Sequence, residues 1–262
     1  MKPPWKNTVP NKIKKKKEKD IMRIALMVLR LFFKAFYYFG RIWWCSIHEN
    51  ISYEEGFRWA KKTTLAANRA GRVKIEAHGL ENLPDKDGFI IFPNHQGLFD
   101  GLVFLESCPR PFAFVMKKEA ANIILLKQVR KALGALTIDR EDLRQSMKVI
   151  QKMAEEVKQG RNFIIFPEGT RSRQGNHTLE FKGGSFKSAM KARCPIVPCA
   201  LIDSFIPFDE NSIRPVTVKI FYLKPMYYEE YKDMKTTQIA EEVRRRIDET
   251  IIGYTQNNPE KA

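Results

Sequence analysis

The sequence predicts an α/β domain on a mixed, largely parallel sheet of about seven strands flanked by helices, preceded by an N-terminal helical segment. Three observations predict it. From Val73 onward, short apolar runs rich in Ile, Val and Phe alternate with helical stretches, the pattern of strands joined by crossover helices. Several runs are apolar throughout, as strands covered on both faces require. Before Val73 the pattern is different: a lysine-rich arm, then a long apolar stretch crowded with Phe, Tyr and Trp.

Residues 1–20 hold eight Lys against one Glu and one Asp, and the run Lys14, Lys15, Lys16, Lys17 repels itself, so this arm is expected to be disordered. Residues 21–70 form a two-helix unit. Ile21 to Cys45 carries four charges, Arg23, Arg30, Lys34 and Arg41. At 100° per residue they fall within roughly a 40° arc, one narrow stripe on an otherwise apolar helix. Three of these cations lie between Ile21 and Phe39, and near a bilayer centre each costs about 2.5–3.5 kcal/mol. The ten Ile, Leu, Val and Phe residues there return only about 3–6 kcal/mol together. The balance favours a helix lying in a membrane interface, stripe toward the headgroups and broad face in the acyl region, over one that spans. Lys14 to Lys17 would add attraction to an anionic leaflet. The long basic region with no small-residue site after it does not read as a cleaved leader. Tyr53 to Ala70 reads as a second helix ending near Gly71 and able to pair with the first.

Residues 71–262 form the α/β domain. Strands are expected at Val73–Ala77, Phe89–Pro93, Phe112–Met116, Ala135–Ile138, Phe163–Pro167, Ile196–Ile202 and Val216–Tyr222. Helical stretches are expected at Leu102–Glu106, Glu119–Leu133, Asp142–Gln159, Ser185–Arg193 and Thr237–Tyr254. No internal repeat and no second globular domain is evident.

The formal charge is +16 over 262 residues, which calls for an acidic partner: nucleic acid, anionic lipid or a phosphorylated substrate. Nucleic acid is disfavoured, because the aromatics cluster with aliphatics rather than interleaving with the lysines, and no nucleic-acid module is present. Cys45, Cys108, Cys194 and Cys199 show no metal-ligand spacing, and so low and scattered a count fits a reducing compartment.

Polar residues with chemical potential follow the apolar runs. His95 sits just past the run Phe89 to Pro93, and Asp100 follows five residues on. On one continuous helix they would point about 140° apart. Across a strand-to-helix junction a carboxylate there can hold one imidazole nitrogen and leave the other free to take a proton, or it can simply cap the helix. After Phe163 to Pro167 come Glu168, Gly169, Thr170, Arg171, Ser172 and Arg173. Two arginines with a hydroxyl can hold a phosphate, and the glycine allows close backbone approach. The alternative is an ordinary surface turn. Lys117-Lys118 and Gly134 to Arg140 add cations after other strands, and strand C-terminal ends are where open α/β sheets bind ligands. His48, His78 and His177 have no partner at useful spacing.

Asn94-His95-Gln-Gly-Leu-Phe-Asp100 resembles the His-x-x-x-x-Asp motif of the glycerolipid acyltransferase family. Gly134 to Arg140 is similar to that family's second block, and Phe166-Pro-Glu-Gly-Thr-Arg-Ser172 to its third. Phe181-Lys-Gly-Gly-Ser-Phe186 continues the third, and Cys194-Pro-Ile-Val-Pro-Cys199 resembles the fourth. Order and spacing agree from about Val73 to Leu201. The resemblance implies a catalytic pair, His95 as general base and Asp100 as its orienting partner. It implies acceptor binding by Glu168, Gly169, Thr170 and Arg171, supplemented by Arg140, Lys117, Arg173 and Lys182. The implied reaction moves a fatty acyl group from acyl-CoA or acyl carrier protein to a lysophosphatidate hydroxyl, with no metal and no cofactor beyond that thioester. It further implies a peripheral or monotopic place on the cytoplasmic face of the cell membrane, against an anionic surface. Transfer to glycerol-3-phosphate or another lysophospholipid, or a non-catalytic basic protein tethered to the membrane, are the competing readings. One position departs from the pattern: Gly97 stands where many members carry Ser.

Overall fold

The structure, a computed structural model, describes residues 22–48, 50–118, 124–139 and 142–257. The arm expected over 1–20 lies outside the described residues, as do Ile21, residues 119–123 and Arg140.

All seven expected runs are strands of one sheet: β1 Val73–His78, β2 Ile90–Pro93, β3 Ala113–Lys117, β4 Leu136–Ile138, β5 Phe163–Ile164, β6 Ile196–Ile202 and β7 Val216–Tyr222. Their order is β1-β7-β6-β2-β5-β3-β4, and every pairing is parallel except β6 with β7. The C-terminal ends of β6, β2, β5 and β3 therefore share one edge. Strand β5 is shorter than expected. Ile165 N still donates to Ile91 O at 3.1 Å, but Pro167 has no N–H to extend the ladder.

The helices are α1 Met22–Arg30, α2 Phe32–Ile47, α3 Tyr53–Ala70, α4 Asp100–Ser107, α5 Ile124–Ala132, α6 Leu143–Lys158, α7 Lys187–Ala192, α8 Ile206–Asp209, α9 Tyr228–Tyr231 and α10 Thr236–Gln256. Ser52 caps α3 by accepting from Glu55 N, with Glu54 and Glu55 in the first turn, and Asp142 caps α6 by accepting from Gln145 N. The sequence reading missed α8 and α9, one-turn helices too short to show a period, and took the α1–α2 stretch as one helix where Leu31 interrupts it.

Alternation within the apolar runs divides the core. Phe89 and Ile91 face Phe104, Phe112, Ile164 and Leu201, covered by α3 and α4, while Ile90 and Phe92 face Phe163, Phe186 and Ile196. That second face is closed by Ile239, Val243, Ile247 and Ile251 of α10, spaced by four to form one stripe. Most of these side chains are wholly buried.

The cationic stripe turns the other way from expectation. Arg23 is buried and donates to Gly71 O at 2.6 Å and Arg214 O at 2.9 Å, and Arg30 donates to Ala70 O at 3.0 Å. Arg41 lies over the Trp59 ring at 4.5 Å, with Glu55 3.9 Å away. The last carbonyls of α3 lack intrahelical donors and carry the negative end of the helix dipole, so they draw these guanidinium groups inward. Lys34 of the stripe is exposed. The apolar face is left outward: Leu29, Phe33, Phe36, Tyr37, Trp43 and Trp44 are all exposed, Phe33 by 88%. Among the described residues no helix is long and apolar enough to cross a membrane.

Candidate active site

Strand β2 delivers its polar loop to the shared edge through a reciprocal bond. Asn94 Nδ2 donates to Leu201 O at 3.0 Å and Leu201 N donates to Asn94 Oδ1 at 2.7 Å, so a side chain continues the β2–β6 ladder one step past Pro93. The next residue, His95, leaves the sheet. Asp100 opens α4, but its carboxylate does not cap that helix; it turns back onto the loop. Oδ2 accepts from His95 Nδ1 at 2.7 Å, from Gln96 N at 2.8 Å and from Gly97 N at 3.1 Å. Oδ1 accepts from Ser204 Oγ at 2.6 Å and shares the Gly97 N–H at 3.1 Å. Such a set of donors suits an ionised carboxylate, which accepts only. The imidazole proton is therefore on Nδ1, and Nε2 is the basic nitrogen. The Asp100 side chain is 1% exposed and that of His95 22%.

A second loop, after β5, encloses the same histidine. The Phe166 ring stacks on the imidazole at 4.2 Å. Glu168 Oε1 accepts from His95 N at 2.8 Å, and Ser172 N donates to His95 O at 2.8 Å. Gly169, at φ +76°, makes the turn between them, a conformation that favours glycine. Glu168 is buried, and burial pushes its carboxyl up to about 7 against the pull of the His95 and Leu179 N–H groups. Thr170 is exposed and Arg171 half-buried, and Lys182 N donates to Pro167 O at 3.0 Å beside them. Among the described residues, no carboxylate pairs with Arg171, Arg173 or Lys182.

The sequence-predicted residues thus gather unevenly. His95, Asp100, Glu168, Gly169, Thr170 and Arg171 meet through direct contacts or adjacency, with Glu168 turned inward onto the loop backbone rather than outward. Lys117 ends β3 on the same edge, two strands from β2, and Lys118 pairs with Asp139 at 3.5 Å. Arg140 lies outside the described residues. Arg173 is exposed at φ +54°.

Four residues that sequence reasoning missed, Gln96, Asn176, Asp203 and Ser204, complete the network. Gln96 Nε2 donates to Asn176 Oδ1 at 2.8 Å and Leu201 O at 2.9 Å, and Asn176 Nδ2 donates to Asp203 Oδ1 at 3.0 Å. Ser204 follows the wholly apolar β6 as His95 follows β2. That position, a polar pair at a strand's C-terminal end, was the signal available. At Gly97 an added Cβ would lie 3.2 Å from Phe205 Cα, so a serine there needs the Phe205 backbone to yield by a few tenths of an ångström.

The sequence model of the acyltransferase family matches residues 74–202. The chain is 34% identical over 160 residues to a 1-acyl-sn-glycerol-3-phosphate acyltransferase of Helicobacter pylori, covering 57% of this chain and 67% of that one. It is 34% identical over 141 residues to the enzyme of the same name from Borreliella burgdorferi, covering 54% of this chain and a little over half of that protein, 56%. The crystal structure of the 1-acyl-sn-glycerophosphate acyltransferase of Thermotoga maritima superposes with a TM-score of 0.71 at 22% identity, over 92% of this chain and 98% of that one, a likeness of fold.

Proposed function

The chain belongs to the acyltransferase family, and from that premise we propose that it moves a fatty acyl group from an acyl thioester, acyl-CoA or acyl carrier protein, to the sn-2 hydroxyl of 1-acyl-glycerol-3-phosphate. The product is phosphatidate. The observation that carries this reading is the His95 ring, held through Nδ1 by Asp100 at 2.7 Å, with Nε2 left as its base.

Nε2 takes the proton of the acceptor hydroxyl as its oxygen attacks the thioester carbonyl carbon. Asp100 holds the imidazolium so formed. When the tetrahedral intermediate collapses, the C–S bond breaks and the imidazolium returns its proton to the departing thiolate. Neither Ser204 nor Cys108 is built as a nucleophile: the Ser204 hydroxyl faces Asp100, and burial pushes the Cys108 thiol up to about 11. The N–H groups of Gln96 and Gly97 are committed to Asp100 and are not the oxyanion's donors. The acceptor's phosphate is taken by Thr170 and Arg171, with Arg173, Lys182, Lys117 and Arg140 adding positive charge.

The exposed apolar face of α1 and α2 supports a second part of the proposal. The enzyme rests on an anionic membrane surface, peripheral or monotopic on the cytoplasmic face of the cell membrane, where its lipid acceptor resides. The test of the reaction is thiol release from acyl-CoA in the presence of lysophosphatidate. Substituting His95→Ala should abolish it, and transfer that persists undiminished removes His95 from the mechanism.

A further inference from the structure

We infer that Ser204 is a positioning residue for the histidine–carboxylate pair, acting through Asp100; the inference rests on the proposed role of that pair. Ser204 stands 104 residues from Asp100 in sequence, two residues past the end of β6, and is wholly buried. Its hydroxyl has one proton and two acceptors in reach, Asp100 Oδ1 at 2.6 Å and Gln96 Oε1 at 2.8 Å.

The surrounding bonds decide between them. Gln96 Nε2 spends both its protons, on Asn176 Oδ1 and on Leu201 O, so the amide's orientation is fixed with Oε1 toward Ser204. That oxygen already accepts the Ser204 backbone N–H at 2.8 Å. The hydroxyl proton therefore goes to Asp100, where the acceptor is charged and the distance shorter. Ser204 supplies the side-chain donor on Oδ1, while Oδ2 carries the imidazole. Anchored at both oxygens, the carboxylate cannot swing, and the ring it holds keeps Nε2 in one direction.

The position of Ser204 is itself built. Asp203, at φ +62°, turns the chain, and its N–H donates to Asn176 Oδ1 at 2.8 Å. Asn176 thus ties the turn after β6 to the loop that carries Arg171, and Gln96 ties both to the histidine loop. Glu168 and Asp203 are the other acidic groups of this cluster, and neither bonds the imidazole.

Two measurements on the full chain test the inference. In acyl transfer, Ser204→Ala should lower kcat by about tenfold to a hundredfold, the worth of a hydrogen bond to a charged group, while KM for both substrates stays within about twofold. Combined with Asp100→Asn, the same substitution should cost less than about threefold more, because the charged acceptor its hydroxyl donates to is gone. Independent of turnover, the Nδ1–H proton of His95, followed by NMR and assigned with His95→Ala, should move from its native position in Ser204→Ala. An unmoved resonance with additive losses in kcat would overturn the role of Ser204. A moved resonance in a chain whose acyl transfer does not depend on His95 would keep the positioning and sink the proposed reaction instead.

Discussion

Replacing Asp100 by Asn is the sharpest probe of the proposed catalytic pair, because the structure says which atoms can adapt. The carboxylate receives His95 Nδ1–H, Gln96 N–H, Gly97 N–H and the Ser204 hydroxyl. An amide nitrogen in place of Oδ2 would meet three donors, each worth about 1–3 kcal/mol if left unpaired. In place of Oδ1 it meets chiefly Ser204, whose hydroxyl can turn to accept from it and donate to Gln96 Oε1, 2.8 Å away. The second arrangement wins, and it keeps His95 in its native tautomer. What is lost is the negative charge. Ring and carboxylate centres about 4 Å apart at an effective dielectric of about 20 interact by about 4 kcal/mol, which is about a thousandfold in rate. Asp100→Asn should therefore lower kcat in acyl-CoA to lysophosphatidate transfer by about 10³, with the unfolding midpoint within a few degrees of native. A variant that keeps more than a tenth of native kcat would refute the claim that Asp100 stabilises an imidazolium.

Other expectations follow from the same geometry. Arg171→Ala should raise the acceptor's KM by about tenfold or more and leave that of acyl-CoA within about twofold; equal rises would point to a folding defect. Converting Leu29, Phe33 and Phe36 together to Ser should weaken binding to anionic vesicles at least about a hundredfold in a sedimentation assay, since each apolar side chain is worth about 1.5–3 kcal/mol on burial. Retention would place the membrane contact elsewhere. Glu168, pushed up to about 7, keeps a proton in the native state that the unfolded chain releases near 4.5, so native stability falls as pH rises between those values, by about 3 kcal/mol. Glu168→Gln should flatten that slope in urea titrations at pH 5 and pH 8. An unchanged slope would mean another group titrates there.

The order of elements was legible because the short apolar runs at Phe89, Phe163 and Ile196, alternating with helical stretches, have the length and composition of strands covered on both faces. Strand order and the reversed pairing of β6 with β7 were not, since neighbours in a sheet leave no local signature. Spacing alone offered His95 and Asp100 two arrangements, a pair across a strand-to-helix junction or a helix-capping Asp, and the contact at 2.7 Å decides between them. Ser204 could not be paired from spacing, because its partner is more than a hundred residues away and only the fold joins them. The cationic stripe shows the opposite error. Its alignment was read correctly, but which way it faces depends on the carbonyls of Ala70, Gly71 and Arg214, acceptors that no side-chain pattern reveals.

His95 gives both halves of its peptide to one stretch of chain, its N–H to Glu168 and its C=O to Ser172. That stretch straddles the imidazole like a yoke of fixed span. Inserting or deleting a single residue in it would drag the ring out of line even with every side chain preserved, and displacement by an ångström is enough to slow proton transfer about a hundredfold. Thr170 and Arg171 lie within that span, the first exposed and the second half-buried, and neither supplies a bond to the His95 peptide. On the proposed function, exchanging those two side chains retunes which headgroup is admitted, while the loop's length stays locked to His95.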